Sequence, residues 1–315
     1  MAARRKQTAE RRKQPAPGAA PGVAGEAARL PAVVPLAPYP IETLVPEARQ
    51  QTPAVGQRAT RPDGRLHGLG QTRYIDDLAF PGMLHARIKR AGVASARIIR
   101  VDTSAAETMP GVMAVVTGRD IPVNSFGPSL QDQPVLASER VFHAGDGVAA
   151  VAAVTEQIAN EALDKIRVEY APLPAVFDPL EAIRDDAPRV HPPASNIYAS
   201  KVIRKGDVER GLAAADRVFE GRFRTQMVEH VPLEPHAAIA EWDPNGRVTI
   251  WCTIGRITLA RADISRTLQL PLNRIRMIGT IVGGNFGGKN EITTEPVLAL
   301  LSKKTGRPVK GVFTR

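Results

Sequence analysis

The amino-acid sequence predicts a mixed α/β (α+β) fold, and three observations carry that expectation. Strand and helix signals alternate from Tyr74 onward. Asp243-Pro244-Asn245-Gly246 separates two apolar runs as a hairpin turn. Val282–Asn290 reads VGGNFGGKN, a glycine-dense turn between an apolar run and a helical pattern.

Met1 to about Thr60 is rich in Pro, Ala and Arg without sustained periodicity, and buries too little apolar surface to offset its ordering entropy. Residues 1–60 are therefore expected to be a disordered basic arm. Met83–Arg90 and Gly111–Thr117 read as strands, and Gly147–Thr155 as a third whose small apolar content suits a strand buried on both faces. Glu156–Ile166 sets Ile158, Ala159, Ala162, Leu163 and Ile166 on one helical face behind Thr155 as N-cap. Arg167–Tyr170 returns as a strand, Ala171-Pro172-Leu173-Pro174 stops it, and a first unit is drawn at 61–178. Pro188, Pro192, Pro193 and Asp185-Asp186 give 179–215 a linker composition. The second unit, 216–315, opens with Arg217–Val228, where Val218, Phe219, Phe223 and Met227 interleave imperfectly with charges. Ala238–Trp242 and Arg247–Ile254 form the hairpin. Ile257, Ala260, Ile264 and Leu268 recur at helical spacing, so that helix is expected to cover it. Ile275–Val282 is the strand that delivers the glycine turn, and Thr293-Thr294-Glu295-Pro296 starts the next helix with a Thr cap and a first-turn Pro.

With 315 residues, 43% of them hydrophobic and 23% charged, the chain has the makings of a soluble globular protein with room for two domains. The net charge of +10 suggests nucleic acid at first sight, but Arg4, Arg5, Lys6, Arg11, Arg12 and Lys13 against Glu10 already supply half of it. The remainder is spread thinly, and aromatic residues, at 4%, offer no stacking platform for bases, so no nucleic-acid partner is expected. No apolar run approaches the roughly 18 residues of a membrane span. The paired arginines of the arm precede Pro/Ala/Gly sequence rather than the apolar core of an export signal, so a cytoplasmic location is expected. A single cysteine, Cys252, excludes internal disulfides and a four-cysteine iron–sulfur site within this sequence.

Glycines in the 282–290 turn let backbone amides approach a ligand closely, which suits a large anionic or oxo-bearing group. Gly283, Gly288 and Lys289 satisfy the G-x-x-x-x-G-K part of a phosphate loop, but Asn290 stands where Ser or Thr would hold magnesium, and the following helix starts several residues too late. A nucleotide-binding protein remains one alternative, and a turn with only a packing role another. His230, Glu234 and His236 share a segment that Pro232 and Pro235 keep from being a regular helix, so a zinc site is not favoured. His67, His85, His143 and His191 are scattered. Cys252, beside Trp251 in an alternating strand, reads as a small buried side chain, and Asp76-Asp77 as a solvated pair.

Gly283–Lys289, followed by Glu295, an apolar helix and Thr305-Gly306-Arg307-Pro308-Val309-Lys310, resembles the GGGFGGK…TGRPVK block of the molybdenum hydroxylases, the superfamily of xanthine dehydrogenase, aldehyde oxidase and carbon monoxide dehydrogenase. His230–Ala238 resembles that family's H-x-x-x-E-P-x-x-A segment. Asp132–Ala137 and Val168–Pro174 resemble parts of its α/β-hammerhead domain. The resemblance runs from Gly64 to Arg315. It implies a hammerhead domain followed by the first part of a molybdopterin-binding domain.

The resemblance further implies an oxidoreductase that oxidises an N-heterocycle or aldehyde with water-derived oxygen. Its cofactor would be molybdopterin, expected in the cytosine dinucleotide form, with molybdenum held by the pterin dithiolene, so the chain itself needs no metal ligands. Gly283, Gly284, Asn285, Phe286, Gly287 and Gly288 would shape the cofactor collar, the Phe286 amide facing the apical oxo group. FAD and [2Fe-2S] centres are expected on partner subunits. Three positions depart from the family pattern: Asn285 replaces a glycine, Gly255 stands where a glutamine is usual, and Asn290 replaces the glutamate of purine oxidisers. The general-base glutamate lies beyond Arg315 in the family, so no catalytic residue is assigned. A split subunit, completed by a partner with the remaining cofactor domain, is expected in preference to a truncated product; a non-catalytic scaffold that keeps the fold is the alternative.

Overall fold

The computed structural model describes residues 61–192 and 194–314. The basic arm at 1–60 lies outside the described residues. In chain order the elements are α1 (Gly64–Gly68), β1 (Leu84–Arg90), β2 (Ala96–Asp102), α2 (Ser104–Glu107), β3 (Val112–Thr117), β4 (Arg140–Val141), β5 (Gly147–Ala153), α3 (Glu156–Lys165), β6 (Arg167–Pro172), α4 (Pro179–Ala182), α5 (Val208–Ala213), β7 (Ala237–Trp242), β8 (Val248–Cys252), α6 (Ile257–Thr267), β9 (Ile275–Gly279), α7 (Glu295–Thr305) and β10 (Val309–Val312).

Alanine and valine dominate β5, and Val148 to Ala153 are wholly buried. The strand is covered on both sides because alternate residues face different cores: Ala149 and Val151 join Ala162 and Ile166 of the α3 side, while Ala150 and Ala152 join Leu298 and Leu301 of α7. The N-cap of α3 forms as the sequence predicts, Thr155 accepting from the Ile158 amide through its hydroxyl at 3.2 Å. Seven strands build one sheet in the order β3-β5-β1-β10-β7-β8-β9, with β1/β10 and β8/β9 parallel and the other neighbours antiparallel. A second, antiparallel sheet has the order β4-β2-β6. The larger sheet therefore contains strands from both sequence units, joined where Leu84 to Ala86 pair with Val309 to Gly311.

The hairpin stands where its turn predicts. Ala240 pairs with Ile250, and Asp243 closes the turn by accepting from the Arg247 amide through Oδ1 at 2.9 Å. The helix over it is not the predicted one, however. α6 buries Ala260 and Ile264 in the shared core but lies chiefly against β9, and it is α7 that packs on β7. The reason is that α7 is apolar nearly all round, with Val297, Leu298, Ala299 and Leu301 buried, so it takes the central position, whereas α6 has a single stripe.

One segment is irregular, and one further expectation changes. Residues 217–228 form no regular element, and Phe219, Phe223 and Met227 are exposed. Asp76 and Asp77 are partnered rather than merely solvated. Asp77 accepts from the Tyr74 amide at 2.9 Å, and Asp76 lies 3.6 Å from Lys310 Nζ, which also donates to the Asp76 carbonyl at 2.8 Å.

Candidate functional site

β9 ends at Gly279, and the chain leaves the sheet to make the turn at 282–290 before α7 begins at Glu295. Gly284 and Gly287 sit at φ +104° and +93°, in the left-handed half of conformational space that favours glycine. Phe286 between them is also left-handed at φ +51°, a costly state for an aromatic residue, with its ring exposed. Gly283 and Gly288 are glycine for space: a Cβ at 283 would stand 2.6 Å from Glu234 Cβ, and one at 288 would stand 3.1 Å from the His230 ring.

The turn is pinned from beneath by the proline-broken segment before β7. Glu234 Oε2 accepts from the Gly283 amide at 2.8 Å and from Lys289 Nζ at 3.1 Å. Lys289 is wholly buried and Glu234 nearly so. The Glu234 amide returns a bond to the Gly283 carbonyl at 3.1 Å. His236 donates from Nε2 to the Gly288 carbonyl at 2.9 Å, a geometry that requires the proton on that nitrogen. Burial, more than any neighbouring charge, lowers the His236 pKa. Glu234 and His236 thus do act on the candidate loop, but as its supports. Among the described residues no group of three or more His, Cys, Asp or Glu side chains is arranged to hold a metal ion.

The amides of the turn divide into two sets. Those of Gly283, Gly287, Gly288 and Lys289 bond to acceptors within the protein: Glu234 Oε2, Asn285 Oδ1, the Asn285 carbonyl and Asn285 Oδ1 again. Those of Gly284, Asn285 and Phe286 have no acceptor among the described residues. Three consecutive unsatisfied donors in a turn that glycines keep bare form a cradle for an oxygen-bearing group. The residues present therefore fit a metal–pterin group that carries an oxygen, the cofactor the resemblance implies. They fit a nucleotide triphosphate poorly, since Lys289, the phosphate-binding residue of that reading, is buried in an ion pair with Glu234.

Of the other candidates, Cys252 is fully buried and its thiol is pushed up to about 12, first by burial and then by the nearby Glu295. Glu295 is itself buried, which raises its pKa, and its Oε2 accepts from the Thr293 amide at 2.8 Å. His67 bonds Thr72, and His191 stacks on Phe142 with ring centroids 4.4 Å apart; both are far along the chain from the turn. Sequence reasoning missed the Lys289–Glu234 pair. The only signal was a lysine at the end of a glycine run and a glutamate between prolines.

Residues 190–315 match the molybdopterin cofactor-binding domain family, and residues 69–174 match the aldehyde oxidase and xanthine dehydrogenase a/b hammerhead domain family. A probable xanthine dehydrogenase subunit of Bacillus subtilis is 41% identical over 81% of this chain and 34% of its own length. The nicotinate dehydrogenase large molybdopterin subunit of Eubacterium barkeri is 34% identical over 83% of this chain and 61% of its own. Among solved structures, the aldehyde oxidoreductase from Desulfovibrio gigas superposes with a TM-score of 0.77 at 30% identity, over 87% of this chain and 32% of that one. The chain thus spans about a third of the first relative and less than two thirds of the second. With two successive family domains in the order the sequence suggests, and the glycine turn built on the second, the chain belongs to the molybdenum hydroxylase superfamily of oxidoreductases.

Proposed function

We propose that the chain forms part of the molybdenum-bearing component of a hydroxylase that oxidises an N-heterocycle or an aldehyde. The observation that supports this most directly is the row of free amides at Gly284, Asn285 and Phe286, held on a buried Glu234–Lys289 support. When bound, the molybdopterin centre, proposed in its cytosine dinucleotide form, supplies the two-electron oxidation, with oxygen drawn from water. What this chain contributes is orientation and field: the Phe286 amide and its two predecessors donate to an oxygen held against the turn, fixed in place before any charge develops there. Such donors are worth about 3 kcal/mol each in a dry site. The relatives, a xanthine, a nicotinate and an aldehyde enzyme, favour these two substrate classes.

The proposal includes partners: a chain or segment carrying the rest of the cofactor domain and the general base, and subunits with [2Fe-2S] and FAD that take the electrons. Phe286 is 73% exposed, so the turn offers one wall of a site and the partner would supply the opposite wall. No described helix is long and apolar enough to cross a membrane.

Metal and pterin analysis of the complex purified through this chain is the test. About one molybdenum and one pterin per chain is expected. Neither being present would reject the reading, while molybdenum without substrate-dependent dye reduction would favour the scaffold alternative.

A further inference from the structure

We infer that Asn285 is a positioning residue for the amide cradle, and that it works only because position 255 has no side chain. The Asn285 carboxamide folds back into its own turn. Its Oδ1 accepts from the Gly287 and Lys289 amides, both at 3.0 Å, and its Nδ2 donates to the Lys289 carbonyl at 3.3 Å. That same carbonyl accepts from the Gly255 amide at 2.8 Å, so the turn and the segment that follows β8 share one acceptor.

The space around position 255 is limited as well. A Cβ on residue 255 would stand 2.4 Å from Asn285 Nδ2 and 3.4 Å from Asn290 Oδ1. A free side chain would swing away from such a contact at little cost, but this one is tied at both its oxygen and its nitrogen. Gly255 is not among the residues with positive φ, so its backbone does not ask for glycine. Room for the Asn285 amide is the reason that remains.

The consequence concerns which donors face outward. By taking the Gly287 and Lys289 amides for itself, Asn285 closes the second half of the turn and leaves the amides of residues 284 to 286 as the exposed set. It also holds Phe286 in its left-handed conformation. An alanine at 255 pushes the carboxamide out, releases the two amides and lets the cradle open.

The test is a substitution cycle on the full chain as it is produced, with whatever partners accompany it. Gly255→Ala is made in the native background, in Asn285→Gly and in Asn285→Ala, and the melting temperature is read for each. Replacing a glycine that lacks positive φ by alanine normally stabilises a protein slightly by restricting the unfolded chain. Here Gly255→Ala should lower the melting temperature by about 3 °C in the native background, and leave it unchanged or raise it in both others. The same loss in all three backgrounds, or no loss in the native one, overturns the coupling. These melting temperatures need no molybdenum, so they stand or fall apart from the proposed function. The positioning role rests on that function: in the dithionite-reduced complex the molybdenum EPR signal should change with Gly255→Ala in the native background and not in Asn285→Gly. An unchanged signal throughout makes Asn285 a purely structural staple and overturns its positioning role.

Discussion

Glu234 and Lys289, fifty-five residues apart, meet at 3.1 Å with the lysine wholly enclosed. The carboxylate also holds the Gly283 amide, so both ends of the glycine turn converge on one oxygen. Removing one partner of a buried pair strands the other charge. Lys289→Met should therefore destabilise the protein by about 3 kcal/mol, read as a shift in the urea midpoint. Lys289→Met combined with Glu234→Gln should cost less than the lysine change alone. Were the double variant the less stable, the pair would not be the support described here.

The same burial separates the cofactor reading from a nucleotide site. Lys289 has its charge committed inward and α7 starts only at Glu295, so there is no phosphate-facing ammonium at the head of a helix. Equilibrium dialysis with magnesium and ATP should show no saturable binding. Binding abolished by Lys289→Ala would revive the nucleotide reading.

Stability should fall on mild acidification through His236. Its pKa is lowered in the folded state by burial, so the unfolded chain takes up a proton first as pH drops below about 6.5. The contribution is complete above the unfolded value and is lost as pH falls through the folded one. In His236→Gln, which keeps a donor for the Gly288 carbonyl, denaturation midpoints should vary less between pH 7 and pH 5, compared with the parent protein in the same buffers. Equal slopes in the two proteins would remove His236 from the account.

Cys252 should be chemically silent while the protein is folded. With its thiol pushed up to about 12 and no surface exposed, iodoacetamide at pH 8 should leave it unmodified until denaturant is added, as mass spectrometry would show. Cys252→Ser should cost about 1–3 kcal/mol, because the hydroxyl enters an apolar core. Rapid labelling of the native chain would mean that the β8 core opens locally.

Much of this architecture is written in local pattern. The small apolar run of β5, the Thr155 cap and the Asp243–Gly246 turn each express themselves within about ten residues, and each is found where predicted. What local pattern does not carry is partnership across long separations. β10 lies beside β1, α7 rather than α6 takes the hairpin, and Lys310 reaches Asp76, all because of how faces compete for the same core. At the site, the glycine turn is legible from composition, whereas its support by Glu234 and Lys289 is not. Along the chain Gly255 and Asn285 are separate departures from a family pattern; in three dimensions they are one contact.

The place of β10 between β1 and β7 has a consequence for how the molecule comes into being. The latest strand along the described chain is the keystone of the larger sheet: without it, β3-β5-β1 and β7-β8-β9 are two separate ribbons, each with a raw edge. A nascent polypeptide emerging from the ribosome must hold both edges unpaired until Val309 to Val312 has cleared the exit tunnel, which makes assembly slow and dependent on distant contacts. Chaperone demand during synthesis, rather than fragility afterwards, is where that topology should be felt.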